Sequence, residues 1–173
     1  MHHFRYLQGS LHAENVDLQT LAEQHGTPLY VYSKETIVDH YTRLDAGLSR
    51  LDHMICYAVK ANSNLAVLST IAQLGGGFDI VSGGELFRVL RAGGQAGKCT
   101  FAGVGKTRDE IEYALKEGIY CFNAESEAEL RFINLIAGEM GMKAPVAVRV
   151  NPNVDAKTHA KITTGKSENK FGI

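Results

Sequence analysis

From Met54 onward the chain alternates between two textures. Short apolar runs at Met54–Val59, Phe78–Val81, Cys99–Phe101, Tyr120–Phe122 and Val146–Val150 read as buried strands. Between them the apolar residues fall at helical spacing, over Leu65–Leu74, Gly84–Ala92, Thr107–Glu117 and Ser126–Met140. A glycine follows at or just beyond each helix end, at Gly75, Gly93, Gly118 and Gly141, as helix C-termini favour. This regular strand-helix alternation predicts a parallel sheet covered by helices. The units are alike in length but not in sequence, which excludes a solenoid array. Ahead of them, Phe4–Ala13 reads as a hairpin-like arm turning at Gly9-Ser10. Val16–His25 reads as an amphipathic helix with Leu18, Leu21 and Ala22 inward, ended by Gly26. Pro28 precedes an expected strand, Leu29–Tyr32, and Ser33 is placed to cap a helix over Lys34–Leu48.

Periodicity alone leaves an open doubly wound sheet and a closed barrel both standing. Polar residues follow several different strands: Lys60, Asp79, Gly103-Val104-Gly105-Lys106, Asn123 with Glu125, and Arg149 with Asn151. A (β/α)8 barrel collects one site from many strand ends in this way, at its carboxyl face. Such a barrel takes about 250 residues, and this chain has 173. The expectation is therefore the first five strand-helix units of a TIM-type barrel, in the N-terminal part of a longer protein. An open piece of that kind would leave strand edges unpaired.

Composition narrows the function. Apolar residues make up 45% and charged residues 21%, which is ordinary for a globular chain with a real core. A formal net charge of −1 gives no electrostatic reason for nucleic acid or an anionic membrane as partner. No apolar run reaches transmembrane length, and MHHFRYLQ lacks the long apolar segment of a secretory signal. Cys56, Cys99 and Cys121 are widely spaced in apolar runs, without a CxxC pair. They predict free thiols in a reducing cytoplasm rather than a zinc site. His40, His53 and His159 show no metal spacing.

Candidate chemistry centres on YAVKANSN, Tyr57–Asn64. If Met54–Val59 is a strand, Lys60 shares a face with Ala58, Cys56 and Met54, and the small residues leave room around its amine. Burial there would lower the lysine pKa, and a neutral amine condenses with an aldehyde to a Schiff base. The plainer reading is the first solvated residue of a loop. Asp79, between Phe78 and Ile80, calls for a partner because a lone buried carboxylate is costly. Arg149 lies in an apolar strand and must meet a cavity, an anion or a carboxylate. Glu85 sits where acids favour a helix N-terminus. GVGKT, Gly103–Thr107, looks like a nucleotide P-loop, but that motif needs a glycine where Thr100 stands. It reads as a decoy, and a nucleotide-binding module remains the rival from another class.

YAVKAN resembles the cofactor-lysine segment of the fold-type III pyridoxal-phosphate decarboxylases. GFDIVSGGEL, GVGKT, RVNPNVDA and TGKSENKFGI follow in the order of the diaminopimelate decarboxylases among them. The likeness runs through nearly the whole chain from about Thr27. It implies a barrel that binds pyridoxal 5'-phosphate and a homodimeric cytoplasmic enzyme that decarboxylates meso-diaminopimelate to L-lysine. It implies that residues 1–26 are an arm and first helix joining a C-terminal β domain, and that 27–173 are an incomplete barrel. It implies that Lys60 is the catalytic Schiff-base lysine, with Ala58, Asp79, Glu85, Arg149 and Lys170 around the cofactor. Another basic amino-acid decarboxylase or a racemase of this fold would share these residues. The family's cofactor-stacking histidine, phosphate loop, pyridine-binding glutamate and cysteine motif find no match here, so this chain alone is expected to bind the cofactor poorly and to be inactive.

Overall fold

The computed structural model describes residues 2–154 and 172–173. The chain divides into two compact units, residues 1–53 and 54–173.

The first unit opens with a three-stranded antiparallel sheet: β1 (Phe4–Leu7), β2 (Ser10–Ala13) and β3 (Val16–Asp17). Leu7 pairs with Ser10, so the turn is Gln8-Gly9, one residue earlier than the sequence suggested. Both turn residues have positive φ, 51° and 87°, which suits a tight hairpin twisted like its strands. Asp17 ends the sheet and caps α1 (Leu18–His25), accepting from the Thr20 amide at 2.9 Å. The expected helix thus starts two residues late, because Val16 and Asp17 pair with β2. Leu29–Tyr32 has strand composition but no strand partner among the described residues. α2 (Lys34–Leu48) starts at the Ser33 cap as expected.

The second unit is a five-stranded parallel sheet with helices between its strands. Its elements are β4 (Cys56–Ala58), α3 (Leu65–Gln73), β5 (Gly77–Ile80), α4 (Gly83–Arg91), β6 (Cys99–Phe101), α5 (Arg108–Glu117), β7 (Cys121–Ala124), α6 (Glu127–Glu139) and β8 (Val146–Val148). The strands lie side by side in chain order. A doubly wound sheet would reverse its order at a switch point. Uninterrupted order with right-handed crossovers puts every helix on one face, which is the winding of a barrel wall. Consistent with this, α3 packs on α4, α4 on α5 and α5 on α6.

The core lies between sheet and helices. Phe78, Ile80, Phe101 and Phe122 on the strands are fully buried, with Leu86, Ile111, Ile133 and Ile136 on the helices above them. Alternation sends Asp79, Thr100, Cys121 and Asn123 to the other face, where they are half-buried. Gly77 opens β5 under a close approach: a Cβ there would stand 2.6 Å from the Lys98 carbonyl oxygen.

Candidate functional site

The carboxyl ends of the five strands surround a cavity of about 380 Å³. Lys60, Asp79, Ala102, Asn123, Glu125 and Arg149 line it, with Ala147 and Val148.

Lys60 reaches it from a turn, not from a strand face. β4 stops at Ala58, and Val59–Ala61 form a single 3-10 turn. Val59 takes the fully buried position and Lys60 is exposed. The burial expected there is absent, because the chain bends one residue sooner than the apolar run suggested. The rest of the word holds that turn. Tyr57 Oη donates to the Asn62 carbonyl at 3.3 Å, Asn62 Oδ1 accepts from the Asn64 amide at 2.9 Å, and Asn64 Oδ1 accepts from Ala66 to cap α3. Among the described residues the Lys60 amine has no hydrogen-bond or ion-pair partner.

Asp79 accepts from Thr100 Oγ1 at 3.1 Å, so the residue that spoils the nucleotide motif serves the cavity carboxylate. The Cys121 thiol on the same face is pushed up, by burial first and the Asp79 charge second. Burial, Asp79 and Cys121 do the same to Cys56. Both thiols are held in the protonated form, which is a poor nucleophile.

Arg149 Nη1 spans both oxygens of Glu125, at 3.0 and 3.1 Å. The Glu125 side chain is 2% exposed and that of Arg149 37%. The arginine thus meets both a carboxylate and a cavity. Glu125 Oε1 also accepts from the Gly103 amide at 3.1 Å.

Lys106 of GVGKT points into the protein. Its side chain is 1% exposed, and Nζ donates to the Gly103 carbonyl at 2.7 Å, the Asn123 carbonyl at 2.9 Å and Glu129 Oε1 at 3.1 Å. A P-loop needs its lysine and glycine amides facing a phosphate; here the lysine and the Gly103 amide are both engaged inside the fold. The nucleotide reading therefore loses its residues.

Glu85 acts as a helix cap. It accepts from the Val81 amide at 2.8 Å while its own amide donates to Ser82 Oγ at 3.2 Å, and it does not line the cavity. α6 repeats the device: Glu129 Oε2 accepts from the Glu125 amide at 2.7 Å while the Glu129 amide donates to Ser126 Oγ. Ala58 is half-buried in β4, in register with Asp79, and is not part of the cavity wall. Lys170 and His159 lie outside the described residues. Among the described residues no cluster of three or more potential ligands could hold a metal.

The sequence reading missed the pairing of Glu125 with Arg149 and the role of Glu129. Two signals were present. An arginine in an apolar strand demands an anion, and Ser126-x-x-Glu129 is a capping pattern that places its glutamate beside residue 125.

Known proteins carry the same framework. The diaminopimelate decarboxylase of Vibrio cholerae is 58% identical over the whole of this chain, which spans 42% of that relative's length. The crystal structure of diaminopimelate decarboxylase from M. jannaschii, in complex with L-lysine, superposes with a TM-score of 0.89 at 41% identity, over 98% of this chain and 41% of that one. The Helicobacter pylori enzyme, also complexed with L-lysine, gives 0.86 at 46%, over 90% of this chain and 39% of that one. The winding inferred from strand order is thus that of the fold-type III barrel decarboxylases. A family profile described as the pyridoxal binding domain of pyridoxal-dependent decarboxylases matches residues 34–173. It takes in the turn that carries Lys60, and the chain belongs to that family.

Proposed function

We propose that the full-length protein is a diaminopimelate decarboxylase. It is a pyridoxal phosphate-dependent carboxy-lyase that removes carbon dioxide from meso-diaminopimelate to give L-lysine, acting as a homodimer in the cytoplasm. The observation that carries this reading is the shared cavity: an exposed lysine amine with no partner among the described residues, lining it with Asp79 and Arg149 from other strand ends. That set fits the reactive end of pyridoxal phosphate, since an aldehyde needs an amine that no neighbouring acceptor holds. No helix among the described residues is long and apolar enough to cross a membrane.

The cofactor, when bound, supplies an electron sink for the charge left as carbon dioxide departs. Lys60 would hold its aldehyde and surrender it to a substrate amine. Asp79 would balance positive charge near that amine, and Arg149 would face the ring. Glu85 would act from the first turn of α4 through its hold on Val81, and Ala58 from beneath the lysine turn. Lys170 belongs to the set by resemblance. By the same resemblance, residues 1–26 form an arm and first helix, the arm joining a C-terminal β domain, and residues 27–173 begin the barrel.

The test uses the full-length protein. It is mixed with pyridoxal phosphate, reduced with borohydride and digested. The expected result is one labelled peptide, containing Lys60, and carbon dioxide release from meso-diaminopimelate. Lys60→Ala should lose both. A full-length protein that takes no label at Lys60 would overturn the cofactor reading. Release from ornithine, arginine or lysine instead would overturn the substrate alone.

A further inference from the structure

GVGKT lacks the geometry of a nucleotide loop, yet its lysine is among the most enclosed charges of the described residues. Lys106 has three donors, and all three are placed, on two backbone carbonyls and a carboxylate. The carbonyls belong to different strand ends, Gly103 after β6 and Asn123 on β7. The carboxylate, Glu129, uses its other oxygen on the backbone amide of Glu125. The Gly103 residue whose carbonyl Lys106 grips gives its amide to Glu125 Oε1. Both routes out of Lys106 converge on Glu125, one through its main chain and one through its side chain. Glu125 in turn holds Arg149, which lines the cavity.

We propose that Lys106 is a positioning residue: its buried ammonium fixes Glu125, and through it sets the place of the Arg149 guanidinium in the cavity wall. Two carboxylates and two cations balance in this cluster. Without the Lys106 charge, Glu129 is left buried and uncompensated, and the Gly103 and Asn123 carbonyls lose a donor. Glu125 is then released from its anchors, or Arg149 is drawn inward toward the uncompensated Glu129. Either way the guanidinium leaves its place. That it faces a bound cofactor rests on the function proposed above; the positioning itself does not.

The experiment therefore has two arms, both on the full-length protein. In the first, without cofactor, phenylglyoxal modification of Arg149 is timed by peptide mass in wild type and Lys106→Met. Arg91, exposed on α4 against Phe87, is the internal standard. The expected result is a change of about tenfold in the Arg149 rate, in either direction, with Arg91 unmoved; that size is usual for coupling within one hydrogen-bonded network. An Arg149 rate within twofold of wild type overturns the proposal, and so does a change that Arg91 shares, which is general loosening. If Lys106→Met does not fold, Glu129→Gln, which keeps the volume and removes the charge, is read in the same way. In the second arm pyridoxal phosphate is titrated into wild type, Lys106→Met, Arg149→Met and the double variant. Lys106→Met should weaken binding about tenfold alone and hardly at all once Arg149 is gone. Additive losses overturn the proposal. A wild type that binds no pyridoxal phosphate overturns the cofactor reading, and the first arm still decides the role of Lys106.

Discussion

Glu125→Gln and Glu127→Gln remove one negative charge each from two ion pairs at the start of α6, and the structure orders their costs against their lengths. Arg131 meets Glu127 at 2.6 Å, but those side chains are 78% and 72% exposed. Arg149 meets Glu125 at 3.0 Å, with Glu125 2% exposed. Breaking one side of a buried pair costs about 3–5 kcal/mol. Arg149 is partly solvated, so water recovers some of that, and about 2–3 kcal/mol should remain for Glu125→Gln. The Gln amide would also turn a donor toward either the Gly103 amide or the guanidinium, where only an acceptor fits. Exposed pairs are worth about 0–1 kcal/mol, and Glu127 adds a few tenths from its place in the first helical turn. Glu127→Gln should therefore cost under about 1 kcal/mol. Urea unfolding of the full-length protein reads both, with the slope of stability against urea required to match wild type. Equal costs for the two variants would refute the claim that burial, not distance, sets the strength of these pairs.

Two further outcomes follow from other parts of the chain. The Asp17 carboxyl is held down to about 2, chiefly by the Ser10 hydroxyl and then by the Thr20 amide and hydroxyl. Its stabilising contribution is present above the unfolded value of about 3.9 and is lost as pH falls through the folded one; an NMR titration of Asp17 centred near 3.9 would show that the cap is not made. Burial pushes the Cys99 thiol up to about 12, so iodoacetamide at mildly alkaline pH should leave Cys99 unmodified until the protein unfolds, and rapid labelling in the native state would contradict the burial.

The helices were legible because their signals are local. Ser33 and Thr107 mark starts, and Gly75, Gly93, Gly118 and Gly141 mark ends with positive φ of 83°, 88°, 72° and 64°. Leu29–Tyr32 shows where local signals fail. Its aromatic, β-branched text suits a pleated half-buried surface, but a strand exists only where another strand pairs with it. Tyr30 is 86% exposed. Lys60 shows a subtler failure. The apolar run was continuous through Val59, and nothing in a period of two says that the chain turns at Ala58 and hands the buried position to Val59. Strand order was not readable from periodicity, because open and closed windings share one pattern; the polar residues after several different strands were what pointed to a barrel. Of the site, the residue types at strand ends were legible. Their pairing was not, since Glu125 and Arg149 are 24 residues apart and only the register of β7 and β8 brings them together.

That register also explains why chemistry spread over so much sequence can act as one site. β4 and β8 are the outer strands of five, four spacings apart. In a flat sheet with strands about 4.8 Å apart their axes would stand about 19 Å from each other. Yet Lys60, following β4, and Arg149, following β8, line one cavity. Long side chains make up part of that distance, and curvature of the sheet toward its open face must supply the rest. A barrel wall has that curvature by construction, since each strand is rotated against its neighbour in the same sense. The network around Lys106 spans neighbouring strand ends of that wall. It ties the ends of β6 and β7 through the Gly103 and Asn123 carbonyls, and Glu125 carries the tie to Arg149 beyond β8. The buried charges thus stand at strand ends, where backbone carbonyls have run out of sheet partners and a cation is the group that can satisfy several at once.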